Sequence, residues 1–191
     1  MNAGTHFYFD VQQPQKLSRL LIFIKWILIL PHTVILSVLG FVASLAAFAA
    51  WWVILFTGVY PPGMWQFVFF YQQWSARVSV YSSLLRDEYP PIGEGPWPLE
   101  FSMQRPERSS RGLVIGRIFL AIPLGLWMSV LYLMFIVLII VAWVSILVNE
   151  NIPAGVFERM VGVLRYTTRV NCYLYMLTDI WPGFHLDNPA A

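Results

Sequence analysis

The sequence predicts an all-α membrane protein built from two tandem copies of one unit. Three observations lead to this prediction. Of the 191 residues, 58% are hydrophobic and only 12% are charged, whereas a soluble globular domain carries roughly 25% charged residues. Two long apolar tracts account for this bias. In addition, a shift of 92 residues superposes one half of the chain on the other without a gap.

The first apolar tract runs from Leu17 to Thr57 and the second from Gly112 to Val148. Each is about twice as long as the roughly 20 residues that a transmembrane helix needs. A straight helix over either tract would be about 60 Å long, against a hydrocarbon core of about 30 Å. We therefore expect each tract to form a hairpin of two short spans, with the first turn near residues 37–40. The predicted spans are 19–36 and 40–57, then 111–128 and 132–149.

A helix with one apolar face is predicted after each hairpin, over residues 64–86 and 156–178. In the first of these, apolar residues recur with alternating spacings of four and three, and glutamine, serine and arginine fill much of the rest. This pattern favours an amphipathic helix at the membrane interface. An alternative topology keeps the apolar tract as one long tilted helix and makes the second helix a return span. Arg77 and Arg169 would then lie inside the membrane.

A short β-strand is predicted ahead of each tract. Phe7, Phe9 and Val11 alternate with polar residues, and Leu99, Phe101 and Met103 do the same in the second copy. Two copies of one strand could pair with each other. The Gly- and Pro-rich linker at 92–98 separates the copies, so the predicted domains are 1–95 and 96–191.

Charge predicts which side of the membrane the soluble parts occupy. In the hairpin topology the termini, the linker and the second helices share one side. That side holds most of the basic residues, and the hairpin turns hold none. The positive-inside rule then gives a multi-pass bacterial inner-membrane protein with cytoplasmic termini. We expect Lys25 and Arg117, which lie about six residues into the first predicted span of each copy, to extend toward the interface. No cleavable signal peptide is expected ahead of the first tract.

We expect no enzyme, no cofactor and no metal site. Cys172 is the single cysteine, and His6, His32 and His185 lie on unrelated elements. The sequence has no Walker loop, no dinucleotide-binding fingerprint and no H-E-x-x-H. A net charge of +2 is too small to indicate a nucleic-acid partner.

Arginines at equivalent positions are the main candidates for binding lipid or a partner. Arg77 superposes on Arg169, and a guanidinium offers a planar fork of donors to a lipid phosphate or a carboxylate. The alternative is that each arginine pairs with a nearby acid, Asp87 or Asp179. The predicted lipid- or partner-binding residues are Arg77, Arg169, Trp74, Tyr166, Arg86 and Arg165.

Several motifs, in order and at matching spacing, are similar to those of the bacterial membrane-protein family labelled domain of unknown function 4389. They are Pro31-His32, Thr57-Gly58, Tyr60-Pro61 with Gly63, Trp74-x-x-Arg77, and Asp87 to Pro91. The resemblance covers nearly the whole chain as two copies. The second copy departs from the pattern, with Asn149-Glu150 in place of Thr-Gly and Ile180-Trp181 in place of Glu-Tyr.

The resemblance implies a bacterial inner-membrane protein and no particular activity. The absence of catalytic or transport constellations, together with 17% aromatic residues, predicts a non-enzymatic accessory or scaffolding subunit of a larger membrane assembly, or a protein that interacts with membrane lipids. The alternative is a small channel or carrier built from a duplicated unit.

Overall fold

The computed structural model of the chain describes residues 7–93 and 95–188. The order of strand, long helix and shorter helix occurs twice, as two tandem and mainly helical units. The elements are β1 (Tyr8–Val11), α1 (Leu21–Leu28), α2 (Leu30–Thr57), α3 (Pro62–Ser82), β2 (Leu99–Ser102), α4 (Arg111–Asn149) and α5 (Ala154–Leu174). The predicted repeat and the predicted strand ahead of each long helix are confirmed.

The two strands pair with each other across the copies. β1 and β2 are antiparallel, and Phe9 is paired with Phe101, the residue that occupies its position in the second copy. Both phenylalanines are buried, whereas Tyr8 and Ser102 are exposed on the other face, as the two-residue period of a strand requires. An antiparallel pair centred on equivalent residues has a twofold axis perpendicular to the sheet. The pseudo-twofold axis of the protein therefore passes between Phe9 and Phe101.

Neither apolar tract folds back on itself. α4 is one helix, and only Ile29, which keeps right-handed helical backbone angles, separates α1 from α2. Residues 37–40 are helical, so the hairpins predicted as 19–36 with 40–57 and 111–128 with 132–149 are wrong. Glycine in a helix interior costs only about 1 kcal/mol relative to alanine. Gly40 serves close packing instead, because a Cβ atom there would lie 2.8 Å from the hydroxyl of Tyr71 on α3.

The long helices of the two copies run antiparallel. The Leu17 amide donates to the Glu150 carbonyl at 2.8 Å, so the start of the first tract lies at the end of α4. The Ser109 amide donates to the Gly58 carbonyl at 2.9 Å, so the start of α4 lies at the end of α2. These two bonds are equivalent under the 92-residue shift. The pseudo-twofold axis is therefore perpendicular to the long helices.

α3 and α5 form a middle layer between the long helices and the sheet. Each returns along its own long helix, and the two pack against each other. The sheet covers their central turns. Gln73 of α3 donates to the Phe101 carbonyl at 3.2 Å, and Arg165 of α5 donates to the Phe9 carbonyl at 2.7 Å. Residues 73 and 165 are equivalent under the repeat, so the same contact occurs on both sides of the axis.

The outer face of the long-helix layer is apolar and exposed. Lys25 and Arg117, which lie at equivalent positions inside the long helices of the two copies, are both buried. The helices Leu21–Thr57 and Arg111–Asn149 are each long and apolar enough to cross a membrane. The large exposed side chains of this face include Phe23, Trp26, Phe41, Phe48, Phe56, Phe119, Leu126, Tyr132, Val137 and Val148.

Candidate functional site

A buried ion pair joins the start of the first long helix to the loop after α3. The Lys25 ammonium lies 2.8 Å from Asp87 Oδ1 and donates to the Arg86 carbonyl at 2.7 Å. Asp87 Oδ2 accepts from the Ser18 backbone amide at 2.6 Å. The Lys25 ammonium also lies over the ring of Tyr81, 5.0 Å from its centroid. The cation is therefore held by a carboxylate, a carbonyl and an aromatic face.

The second copy repeats this arrangement with arginine in place of lysine. Arg117 Nη2 lies 2.5 Å from Asp179 Oδ1 and donates to the Thr178 carbonyl at 2.7 Å. Asp179 Oδ2 accepts from the Ser110 amide at 2.6 Å. The guanidinium lies over the ring of Tyr173, 4.7 Å from its centroid.

These pairs correct two predictions. Lys25 and Arg117 do not extend to the interface, because only 2% and 5% of their surfaces are exposed. Among the ion pairs of the described residues, Asp87 and Asp179 pair with Lys25 and Arg117 instead of Arg77 and Arg169. Burying a charge costs several kcal/mol unless a partner and hydrogen bonds offset it, and here each cation has an acidic partner and a backbone carbonyl. The available signal in the sequence was that both the cation and the acid recur after 92 residues.

Arg77 and Arg169 tether the segments that follow α3 and α5. Arg77 donates to the Gly93 carbonyl at 2.7 Å. Arg169 donates to the carbonyl of His185, which is the equivalent of Gly93, and to that of Asp187 at 3.0 Å. Arg169 is buried, so its guanidinium serves a contact inside the protein.

Trp74 and Tyr166 occupy equivalent buried positions and point their polar atoms at different partners. The Trp74 indole donates to His32 Nδ1 at 3.0 Å. The Tyr166 hydroxyl donates to the Gly183 carbonyl at 3.1 Å. Trp74 therefore connects α2 to the middle layer, and Tyr166 connects the segment after α5 to it.

Arg86 and Arg165 are not equivalent in the repeat, and they lie at separate places. Arg86 forms a bidentate pair with Glu88, at 2.9 and 2.6 Å, and donates to the Gln12 carbonyl at 2.6 Å. Arg165 lies 3.3 Å from Asp10. The predicted binding residues are thus distributed over both copies, and the structure does not bring them into one site. Their role in lipid or partner binding stays a prediction.

The histidines do not converge in the described part of the chain. His32 lies against Trp74 and Tyr89, His185 lies beside Arg169, and His6 falls outside the described residues. Within 7–93 and 95–188, no group of three or more His, Cys, Asp or Glu residues could hold a metal ion.

The match to a protein family follows the repeat. The family model described as a domain of unknown function, DUF4389, matches residues 19–93 and again 111–185. The chain belongs to the DUF4389 family. No curated protein and no solved structure shows significant similarity to the chain.

Each DUF4389 copy begins at an exposed arginine, at the start of α4 or two residues before α1, and ends at a residue whose carbonyl accepts a hydrogen bond from Arg77 or Arg169. The first copy begins at Arg19 and the second at Arg111. The family unit therefore contains the long helix, the returning helix and the tethered segment. Both strands lie outside the two matches.

An open groove lies beside the second DUF4389 copy, between β1 and α5. Its charged lining residues are Asp10, Glu158, Arg159, Arg165 and Asp187. Three acids face two bases, and Arg165 already binds Asp10 and the Phe9 carbonyl. The groove has no single charge that would select a ligand.

The two ends of the long-helix layer differ in charge pairing. Where the first DUF4389 copy begins, Arg19 lies 3.3 Å from Glu150, and Lys16 lies 4.0 Å from the same carboxylate. Where the second copy begins, Arg111 takes the place of Arg19. Gly58 stands there in the position of Glu150, and a Cβ atom on Gly58 would lie 3.3 Å from Arg111 Nε. One end therefore has an acid between its cations, and the other has a glycine.

Proposed function

We propose that the protein binds to the membrane with its long-helix layer lying in the plane of the bilayer, and that it acts as a non-enzymatic lipid-interacting or scaffolding subunit. The observation that carries this proposal is the exposed apolar outer face of that layer, on the side opposite the sheet. Exposed apolar surface of this extent is the mark of a membrane or protein interaction site.

Helix length supports the in-plane arrangement. α4 has 39 residues, which corresponds to about 58 Å at 1.5 Å per residue. To fit a hydrocarbon core of about 30 Å it would need a tilt of about 60°. Transmembrane helices tilt by up to about 40°. A helix lying at the interface has no such limit.

The position of the sheet supports the same arrangement. The sheet covers the central turns of α3 and α5, and Tyr71 in the middle of α3 contacts Gly40 near the middle of the first long helix. If the long helices crossed the membrane, the sheet would lie at the depth of the bilayer centre, together with the exposed Glu100. A charged side chain and open strand edges are strongly unfavourable at that depth. In the in-plane arrangement the sheet lies in water.

The hydroxyl groups on the outer face are consistent with a lipid environment. Thr33, Ser37 and Ser129 are exposed, and each donates to the carbonyl four residues earlier in its own helix, at 2.7 to 3.0 Å. Hydrogen bonds of this kind satisfy the hydroxyl without water.

In this arrangement the protein enters the bilayer from one side only, whereas the sequence predicts a multi-pass arrangement. The described ends of the chain lie together at the sheet, where the Phe9 amide donates to Asn188 at 3.1 Å. In the proposed arrangement they therefore share the watery side, which we assign to the cytoplasm of a bacterial inner membrane. The buried Lys25 and Arg117 are bound by their own acids, which gives a channel or carrier less support than a scaffold.

Cysteine labelling tests the arrangement. In a Cys172→Ala background, Glu107→Cys and Asn151→Cys place single thiols at exposed positions just outside the two ends of α4. In right-side-out proteoliposomes and inverted vesicles, we expect a membrane-impermeant maleimide to label both positions from the same side. Labelling from opposite sides would show that α4 crosses the membrane and would overturn the proposal.

The scaffolding role is tested separately by purification from native membranes in mild detergent after chemical cross-linking. We expect specific membrane-protein partners to co-purify, and Tyr8→Ala, at an exposed sheet position, serves as a control for general changes in solubility. Isolation of the protein alone as a closed oligomer under every condition would contradict the scaffolding role.

A further inference from the structure

Arg111 begins the stripe of side chains that forms the outer face of α4. Residues 115, 118 and 122 follow it at spacings of four, seven and eleven, so they share one side of the helix. Ile115, Ile118 and Ile122 are all at least half exposed. Arg111 therefore lies at the end of the apolar stripe. In the proposed in-plane arrangement this is the place where apolar lipid chains give way to phosphate groups.

The same corner of the protein carries a second exposed arginine. Arg108 precedes Arg111 by three residues. Within the described residues, no carboxylate lies within 4.0 Å of either guanidinium, including that of the neighbouring Glu107. Uncompensated guanidinium groups offer planar, charged donor forks to an anion.

The repeat supplies a matched comparison within the same molecule. Lys16 and Arg19 are the equivalents of Arg108 and Arg111, and both of them lie against Glu150. The equivalent of Glu150 is Gly58, which has no side chain. Both residues have left-handed backbone angles, with φ of 55° at Glu150 and 75° at Gly58. The two corners thus share a backbone geometry and differ in whether an acid occupies it.

We propose that Arg108 and Arg111 form a binding site for the phosphodiester of an anionic phospholipid headgroup, and that Glu150 closes the equivalent site at the other end. The inference rests on the proposed function, because it needs the outer face to lie in lipid. Charge complementarity and direct continuity with the apolar stripe favour a lipid over a soluble phosphate. Basic residues near an anionic membrane surface are attracted to it.

Native mass spectrometry of the full-length protein in detergent, titrated with phosphatidylglycerol or with phosphatidylcholine, tests the site. We expect preferential binding of phosphatidylglycerol, weakened about tenfold in Arg108→Gln with Arg111→Gln. The matched control, Lys16→Gln with Arg19→Gln, should change binding by less than about twofold, because Glu150 already occupies these cations.

A gain of binding makes the test independent of folding defects. Glu150→Gly gives the first corner the residue that the second corner has, and we expect it to add a second phosphatidylglycerol site. Equal loss in both double variants, no additional site in Glu150→Gly, or equally tight binding of soluble glycerol phosphate would each overturn the inference. A second measurement, binding of the protein to bilayers of each lipid, separates the inference from the proposed function. Equal binding to both kinds of bilayer would overturn the inference and leave the proposed function standing. Binding to neither kind would overturn the proposed function itself.

Discussion

Lys25 and Asp87 form an ion pair of 2.8 Å in which only 2% of the lysine surface is exposed. The pair fastens the start of a long helix to the end of the segment that returns along it. Because Arg117 and Asp179 form the equivalent pair in the second copy, the same connection is made at both ends of the long-helix layer.

Removing one partner of this pair leaves an uncompensated buried charge. We therefore expect Asp87→Asn to lower the free energy of unfolding by about 3 kcal/mol. Thermal unfolding of the purified protein in mild detergent measures the change. The double variant Lys25→Met with Asp87→Asn should lose clearly less than the sum of the single losses, because neither charge remains. Additive losses would show that the two residues do not interact.

The two cations should be interchangeable, because equivalent geometry holds lysine in one copy and arginine in the other. We expect Lys25→Arg and Arg117→Lys each to cost less than Asp87→Asn, because a cation still faces the carboxylate in both variants. The same unfolding experiment checks this. Losses as large as that of Asp87→Asn would mean that each copy has adapted to its own cation.

Phe9 lies beside the pseudo-twofold axis, and none of its surface is exposed. It packs on Phe101 with ring centroids 5.9 Å apart. We expect Phe9→Ala to cost about 3 to 5 kcal/mol, because it removes a buried aromatic ring and leaves a cavity. Tyr8→Ala, on the exposed face of the same strand, is the control and should cost about 0.5 kcal/mol or less. Similar costs for both variants would contradict the sheet packing described above.

Cys172 is buried on α5, and this burial raises the pKa of its thiol well above the ordinary value. Because the thiolate is the reactive form, we expect almost no reaction with a maleimide at pH 7.5 in the folded protein and complete reaction after denaturation. The rate of modification then reports opening of the middle layer. Rapid labelling of the native protein would contradict the burial.

Glu88 contributes a pH-dependent term to stability. Burial, the largest single effect, raises its pKa, but the hydrogen bonds and charge of Arg86 together with backbone hydrogen bonds outweigh burial and hold the pKa below the ordinary 4.5. A group with a lowered pKa stabilises the fold above its unfolded pKa, and this contribution is lost as the pH falls through the folded value. Half of the Glu88 side chain is exposed, so the contribution is a fraction of a kcal/mol, about 0.5 at most.

The corresponding measurement is the unfolding temperature of the wild type and of Glu88→Gln between pH 6 and pH 3. We expect the stability difference between the two proteins to shrink as the pH falls. A difference that stays constant over this range would show that the Arg86 pair does not respond to protonation of Glu88.

Much of the architecture could be predicted because it depends on local pattern. The alternation of Phe7, Phe9 and Val11 specifies a strand. The 92-residue shift superposes Phe9 on its equivalent in the second copy, Phe101. The two apolar tracts specify helices, and the ordered motifs from Pro31 to Pro91 specify the family. Each of these signals lies within a short stretch or in a comparison of the two halves.

The hairpins could not be corrected from sequence, because residues 37–40 allow either a turn or a helix. Gly40 breaks a helix only weakly. In the folded protein it leaves room for the side chain of Tyr71, which packs against it. The sequence likewise leaves open which cations pair with Asp87 and Asp179. An arginine of the preceding helix, Arg77 or Arg169, and a cation of the long helix are both compatible with the sequence. Packing of the returning helix decided between them.

The amino-acid sequence by itself determined that this protein has two copies of one helical unit, a strand for each, and two apolar tracts long enough to cross a membrane. Only the tertiary structure decided that the long helices run antiparallel, that the sheet lies over their middle, and that Lys25 and Arg117 face inward to buried acids. The physical reason is that periodicity specifies which face of an element is apolar. Long-range packing and hydrogen bonding determine what each face meets.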